Sequence, residues 1–301
     1  MRNSNKLPRM NQHGKWRLEL AQNLSKQLSD FSGVHAVAAG GSVARGYADA
    51  YSDLELLVYW NHQPDAETRL AVFNCLNAER RYPKMDVGYD SAYLIDGFPV
   101  DVWHRTMEQE EAAADKVLNG FSTDLDAGNV LDTIRFAIPL YGVDYLEQIK
   151  ECVEQYPDGL AVEFLKRFLP HFHLRQLLYA ARRDNPTAFY SILNSILDGL
   201  FVVLLAMNRS YFPTYKWFYK RLAELPVVPE QIDFRLRQLY VEPPLSAVKQ
   251  LKAILEETVA LAERLYPQVD TAFVRYGLEQ PIPQSYKNAF TLGVKAPGDS
   301  Q

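Results

Sequence analysis

Ala39-Gly40-Gly41-Ser42-Val43-Ala44-Arg45-Gly46-Tyr47-Ala48-Asp49-Ala50-Tyr51-Ser52-Asp53-Leu54-Glu55 joins two short apolar runs, Val34 to Ala39 and Asp53 to Trp60. Both runs read as β-strands, the second Leu-rich and ending in aromatics. A strand that ends in two glycines and a serine and then enters a short helix suits an anion, because glycine lets backbone N–H groups come close. Ser42 has two readings, a phosphate ligand or a simple helix cap. Gly41 and Gly46 have the spacing of a Walker A loop, yet Tyr47-Ala48 stand where Lys-Ser/Thr is required, and there is no Gly-x-Gly-x-x-Gly.

Asp53 and Glu55 give the loop its chemistry. Residues two apart in a strand share a face, so the two carboxylates project side by side. Like charges held this way repel, and a divalent cation with a preference for oxygen ligands removes the conflict. Leu57 and Tyr59 continue the same face, which speaks against a merely solvated strand surface. A third acid, Asp101, lies between Val100 and Val102, inside a stretch whose neighbours favour a strand while Asp does not. Taken singly it reads as an edge residue facing water; with the other two acids and the glycine-serine corner it reads as part of one site.

This set resembles the nucleotidyltransferase superfamily that includes DNA polymerase beta. The resemblance runs from Gly41-Ser42, across ten intervening residues, to Asp53-x-Glu55 and on to the apolar-Asp101-apolar strand. Within the superfamily, Gly-Ser-x-Ala-Arg-Gly followed by Ser-Asp-x-Glu looks like the bacterial antibiotic and small-molecule nucleotidyltransferases, which carry a helical domain after the catalytic one. The resemblance implies that Gly41 and Ser42 hold a triphosphate with help from Ser52, and that Asp53, Glu55 and Asp101 are both catalytic and magnesium-binding. Asp101 would be the third metal ligand or the base that takes the acceptor's proton. It also implies two Mg2+ ions, which in such sites lie about 4 Å apart, and ATP or another nucleoside triphosphate as co-substrate. Glu55 departs from the commoner Asp at its position. Arg45, beside Ser42, is a candidate phosphate contact or an ordinary exposed helix arginine, and Lys216 resembles the triphosphate-binding lysine of related enzymes. Tyr215 and Trp217, next to it, are candidates to stack on a base, or core aromatics.

The implied reaction transfers AMP or another nucleoside monophosphate to a hydroxyl of a small-molecule acceptor. Spare carboxylates such as Asp86, Asp90 and Asp96 would suit a cationic, aminoglycoside-like acceptor. Transfer to a protein, and nucleotide binding without turnover, use the same residues and are the alternatives.

Outward from this centre, Trp16 to Leu28 and about Asp65 to Arg80 have helical periodicity, and Tyr93 to Trp103 reads as a hairpin turning at Asp96-Gly97. After residue 140 the pattern is helical, at about 145–155, 160–183, 187–208, 214–224, 229–240 and 244–265. Pro170 should split the second of these, and Pro186 and Pro243-Pro244 mark helix starts. The expected plan is α+β: a nucleotidyltransferase domain of mixed sheet and helices over 15–140, a helical domain over 141–292 with a cleft between them, and flexible ends at 1–14 and 293–301.

The 301 residues carry 32 Lys+Arg against 37 Asp+Glu, a net charge of −5, with 48% hydrophobic residues. That balance excludes a disordered or collagen-like chain and disfavours broad capture of nucleic acid, which needs clustered cations. Cys75 and Cys152 form neither a zinc framework nor a disulfide pattern, which suits a cytoplasmic protein. Met1 to Lys15 shows no apolar h-region, and Ile196 to Met207, interrupted by Asp198, reads as a buried helix, so no membrane partner is expected. His104, His171 and His173 lack ligand spacing and read as structural or surface residues. Oligomeric state is left open.

Overall fold

The structure, a computed structural model, describes residues 10–89 and 91–279. Asp90, residues 1–9 and the expected tail at 293–301 lie outside the described residues. The fold is α+β. Its sheet has six strands, β1 (Val34–Ala39), β2 (Leu54–Trp60), β3 (Glu79–Arg80), β4 (Ala92–Ile95), β5 (Phe98–Thr106) and β6 (Ile138–Tyr141), in the order β3-β4-β5-β2-β1-β6. β2 and β5 run parallel and every other neighbouring pair is antiparallel.

Strand alternation sets the two faces of the sheet. Leu54, Leu56 and Val58 of β2 pack in a core with Ala21, Leu24 and Leu28 of α1 (Gln12–Leu28). Leu57 and Tyr59 point to the other face, against Ala137 and Leu146. Glu55 alternates with Leu54 and Leu56 and therefore shares that second face. α1 starts before Trp16 because the Asn11 side chain accepts a hydrogen bond from Gly14 N at 2.9 Å, while its amide donates to the Ala48 carbonyl at 2.7 Å. The β4–β5 hairpin turns at Asp96 (φ 49°) and Gly97 (φ 74°), the paired positive values of a type I′ turn.

α2 (Gly41–Ala44) follows β1, and α3 (Ala66–Cys75) follows β2 behind the Asp65 cap. Two helices not expected from the sequence, α4 (Met107–Leu118) and α5 (Leu125–Phe136), come next. α4 opens with a capping box between Thr106 and Gln109, and α5 with the Asp124 carboxylate on Asp126 N and Ala127 N. α6 (Val143–Glu154) and α7 (Asp158–Phe168) complete this run.

His104 is buried, and its Nδ1 accepts the indole N–H of Trp60 at 3.0 Å. Burial, reinforced by the charge of Arg69, pushes its pKa down from 6.5 to about 4. The unfolded chain therefore holds a proton that the folded chain refuses between those two values. This contribution is complete above pH 6.5 and is lost as pH falls toward 4, for a total of about 3 kcal/mol. His104→Gln keeps an acceptor for Trp60 and should flatten the stability profile between pH 6.5 and 4 in urea titrations. An unchanged slope would contradict this account.

The chain forms two compact units. One holds the residues up to Phe164 together with Asn208–Glu224; the other holds Leu165–Met207 and the described residues from Leu225 onward. The second unit is helical. Pro170 splits the helix expected over 160–183: a 3-10 turn (Leu169–His171) precedes α8 (Arg175–Arg182). α9 (Pro186–Met207) is long and apolar enough to cross a membrane, but 61% of its most apolar window is buried and Leu200, Phe201, Val203 and Leu204 are inaccessible, so it forms the core of this unit. Each such side chain contributes about 1.5–3 kcal/mol by leaving water. The segment 208–224 belongs to the first unit and, instead of one helix, forms a 3-10 turn (Tyr215–Trp217) and short α10 (Phe218–Leu222). α11 (Ile232–Gln238), α12 (Pro244–Leu265) and α13 (Ala272–Glu279) follow, with α12 packed on α8 and α9 and Pro244 at its first position.

Candidate active site

The parallel register of β2 and β5 sets Glu55 opposite Asp101 and Leu57 opposite Trp103. Asp53 stands one residue before β2. Its neighbour's carbonyl, Ser52 O, accepts two hydrogen bonds from buried Arg17, at 2.6 and 3.1 Å, which pins the entry into the strand. The Arg17 guanidinium itself lies 4.3 Å from the Trp16 ring centre and 5.3 Å from that of Phe98.

Charge gathers tightly around the three acids. Arg81 Nη1 donates to Asp101 Oδ1 at 3.0 Å and lies 4.0 Å from Asp53 Oδ2. Lys216 Nζ lies 3.9 Å from Glu55 Oε1. Burial raises the pKa of Glu55, against the charges of Lys216 and Arg45. Asp101 is also raised, first by burial and then by the charge of Asp53, with Arg81 opposing. Glu55 and Asp101 thus each feel the charge of neighbouring acids, and the nearby cations oppose the rise.

Gly41 is the hinge of this arrangement. It sits at φ +58°, and a Cβ there would lie 2.4 Å from Glu55 Cδ. The longer reach of Glu at this position is thereby accommodated: its carboxylate fills the space a side chain at 41 would take. Gly41→Ala should cost about 1–2 kcal/mol from the left-handed backbone alone, with displacement of Glu55 added. Gly40→Ala, where the nearest atoms are the flexible Leu57 side chain at 3.3 Å, is the control. Thermal melts in which both variants lose the same stability would refute the role given to Gly41.

Ser42 is buried within α2, whose N-cap is Gly40, and no side-chain cap bond is made there. The simple capping role is therefore not its own. Two other expected phosphate contacts are engaged elsewhere. The Ser52 hydroxyl donates to Asp49 Oδ1 and accepts from Asp49 N, both at 3.0 Å, closing its own loop. Arg45, buried rather than exposed, donates from Nε to Asp132 Oδ2 at 2.7 Å and from Nη2 to Thr133 Oγ1 at 3.1 Å.

Asp132 was not singled out in the sequence, and it joins three elements. Fully buried on α5, it also accepts from Arg221 Nη2 of α10 at 3.0 Å. Around it, Tyr47 Oη donates to Glu224 Oε2 at 2.6 Å, Lys220 Nζ donates to the Tyr47 carbonyl at 3.1 Å, and the Tyr47 and Trp217 rings lie 5.2 Å apart. These contacts lock 208–224 against the glycine-serine corner and place Lys216 beside Glu55. Tyr215 packs edge-on against Phe212 at 4.8 Å.

Two cavities flank the acids and share Trp103. One, of about 430 Å3, is lined by Tyr82, Lys84, Met85, Ser91, Ala92, Asp101 and Trp103. The other, of about 170 Å3, runs from Glu55 under Trp103 to Arg105, Glu110 and Asn129. Arg105 Nε donates to Glu110 Oε1 at 2.6 Å, whereas Oε2 of this buried acid has no hydrogen-bond partner among the described residues.

Three carboxylates are the donor chemistry of a hard divalent cation. As they stand, with Arg81 against Asp53 and Asp101, no three His, Cys, Asp or Glu side chains among the described residues are grouped to hold a metal ion. Of the acids expected to attract a cationic acceptor, Asp96 forms the hairpin turn and Asp86 Oδ1 accepts from Gly88 N at 3.0 Å. His171 packs against Phe168, and His173 Nδ1 lies 3.1 Å from the Pro170 carbonyl, in the second unit.

No family model matches the chain, and no curated protein matches its sequence. Among solved structures, a nucleotidyltransferase-like protein from Exiguobacterium sibiricum 255-15 is similar at a TM-score of 0.36 and 14% identity, over 84% of this chain and 79% of that one.

Proposed function

We propose that this chain is a magnesium-dependent nucleotidyltransferase that moves a nucleoside monophosphate, AMP from ATP in the first instance, onto a hydroxyl of a small-molecule acceptor. The observation that carries this reading is the set of contacts around the acids: Glu55 stands opposite Asp101 on adjacent strands, Arg81 is shared by Asp101 and Asp53, and Lys216 lies beside Glu55 next to Gly41. Were Arg81 displaced and the carboxylates of Asp53, Glu55 and Asp101 drawn around the ion, magnesium would supply neutralisation of charge on the phosphoryl oxygens.

The protein's own groups have separable tasks. Gly41 and Ser42 give a side-chain-poor approach for phosphate oxygens, and Lys216, 61% exposed, offers its ammonium to the departing pyrophosphate. Asp101 accepts the proton of the attacking hydroxyl. The acceptor oxygen bonds to the α-phosphorus as the bond to pyrophosphate breaks. The cavities on either side of Trp103 are available to the nucleoside and the acceptor.

The test is acceptor-dependent pyrophosphate release from ATP and Mg2+ across a panel of hydroxylated amines, sugars and aminoglycosides. Release with one acceptor class and its loss in Asp101→Asn supports the reading. Tight binding of ATP with no release from any acceptor, and no label transferred to protein, would overturn it in favour of a nucleotide-binding regulator.

A further inference from the structure

We infer that Arg81 is the resident counter-ion of the acidic cluster, bridging Asp53 and Asp101 until a divalent cation replaces it and the phosphate chain of the nucleotide receives its guanidinium. This rests on the nucleotidyltransferase reading and adds a residue and a step to it.

Two like charges, Asp101 on β5 and Asp53 just before β2, are eased by a cation between them. Arg81 is the group that supplies it, at 3.0 Å from Asp101 and 4.0 Å from Asp53. The contact is built to be exchanged. Only one of the two distances is a hydrogen bond, so donors of the guanidinium fork remain for another partner. The pair is partly exposed, with about a quarter of the side-chain surface open on each partner (27% for Arg81, 21% for Asp101), and such pairs are weak. The element that carries Arg81 is light as well. It follows β3, a two-residue strand at the edge of the sheet that pairs with β4 alone.

A cavity lies close by: Tyr82 and Lys84, just after Arg81 in sequence, line the 430 Å3 space together with Asp101 and Trp103. A phosphate chain drawn to the acids would meet Arg81 and Lys84 together. A guanidinium matches phosphate geometry bidentately, so the released side chain gains a better partner than the one it leaves.

The experiment is Mn2+ binding without nucleotide, followed by the paramagnetic resonance signal of the free ion, for the full chain and for Arg81→Gln, Arg81→Lys and Asp101→Asn. Far-ultraviolet circular dichroism checks each fold, and Arg81→Lys carries the test should Arg81→Gln not fold. If the bridged state holds about nine-tenths of the population, removing it should tighten Mn2+ binding about tenfold. Arg81→Gln is expected to bind about tenfold tighter than wild type, Arg81→Lys to fall between them, and Asp101→Asn to bind weakly. Equal or weaker binding by both Arg81 variants, with wild-type binding lost in Asp101→Asn, overturns the exchange and leaves the metal site intact. No Mn2+ binding by any protein overturns the exchange and the metal-dependent reading together.

Discussion

Asp101→Asn should lower pyrophosphate release by about 10²–10⁴-fold, the range for loss of a positioned proton acceptor, without lowering the melting temperature. The two halves of this expectation have different origins. Activity falls because the amide cannot take the acceptor's proton and offers a poorer oxygen to a cation. Stability holds because Asp101 is a carboxylate the fold keeps against its preference: burial and the charge of Asp53 both raise its pKa. A neutral isostere relieves both effects and gives up one partly exposed bond to Arg81. A residue retained at the expense of stability is what a working site contains. Steady-state kinetics beside thermal melts would check it. A variant that is fully active, or inactive only because it has unfolded, would remove Asp101 from the reaction.

The largest structural effect is expected at Asp132→Asn, a loss of about 3–5 kcal/mol in urea denaturation, as when one partner of a buried ion pair is removed. One fully buried carboxylate faces two guanidinium groups, from Arg45 and Arg221. Neutralising it leaves Arg45 buried without its ion pair and Arg221 with only the half-exposed Glu224, at 3.9 Å. The neighbouring Ser210 hydroxyl, 3.3 Å from Arg221 Nη1, and Phe136, whose ring centre is 4.7 Å from the guanidinium, carry no compensating charge. Adding Arg45→Met and Arg221→Met to Asp132→Asn should restore much of the loss, because an apolar set of similar volume tolerates burial. If the triple variant is less stable than the single one, the charge argument is wrong and packing decides. Loss of these contacts should also release 208–224 from the glycine-serine corner, so that Asp132→Asn raises the KM for ATP through Lys216.

The parts of the site that lie close in sequence were legible there. Gly41, Asp53 and Glu55 declare themselves by glycine chemistry and by the two-residue period of a strand, and Asp96-Gly97 announces the hairpin that delivers Asp101. α4 and α5 were missed although Thr106-x-x-Gln109 and Asp124 are start signals, because the Ala- and Glu-rich stretch after Thr106 has only a shallow apolar stripe. Arg45 was read as exposed or phosphate-facing because nothing local points to Asp132, 87 residues away. Asp132 and Arg221 were invisible for the same reason: an ion pair between helices leaves no periodic trace. Arg81 follows a two-residue strand too short for any pattern to mark. The hydroxyl of Ser52 bonds to Asp49, three residues earlier, a local pairing that the glycine-serine pattern does not reveal.

Because 208–224 returns to the sheet-bearing unit after the chain has entered the other one, a clone ending at residue 164 would lack Arg221, Glu224 and both lysines of that stretch. Such a fragment would carry Arg45 and Asp132 but neither the third member of their cluster nor the ammonium beside Glu55. Isolating the sheet-bearing unit therefore calls for an internal excision of 165–207 closed by a flexible joint, together with an end after residue 224, rather than a simple truncation.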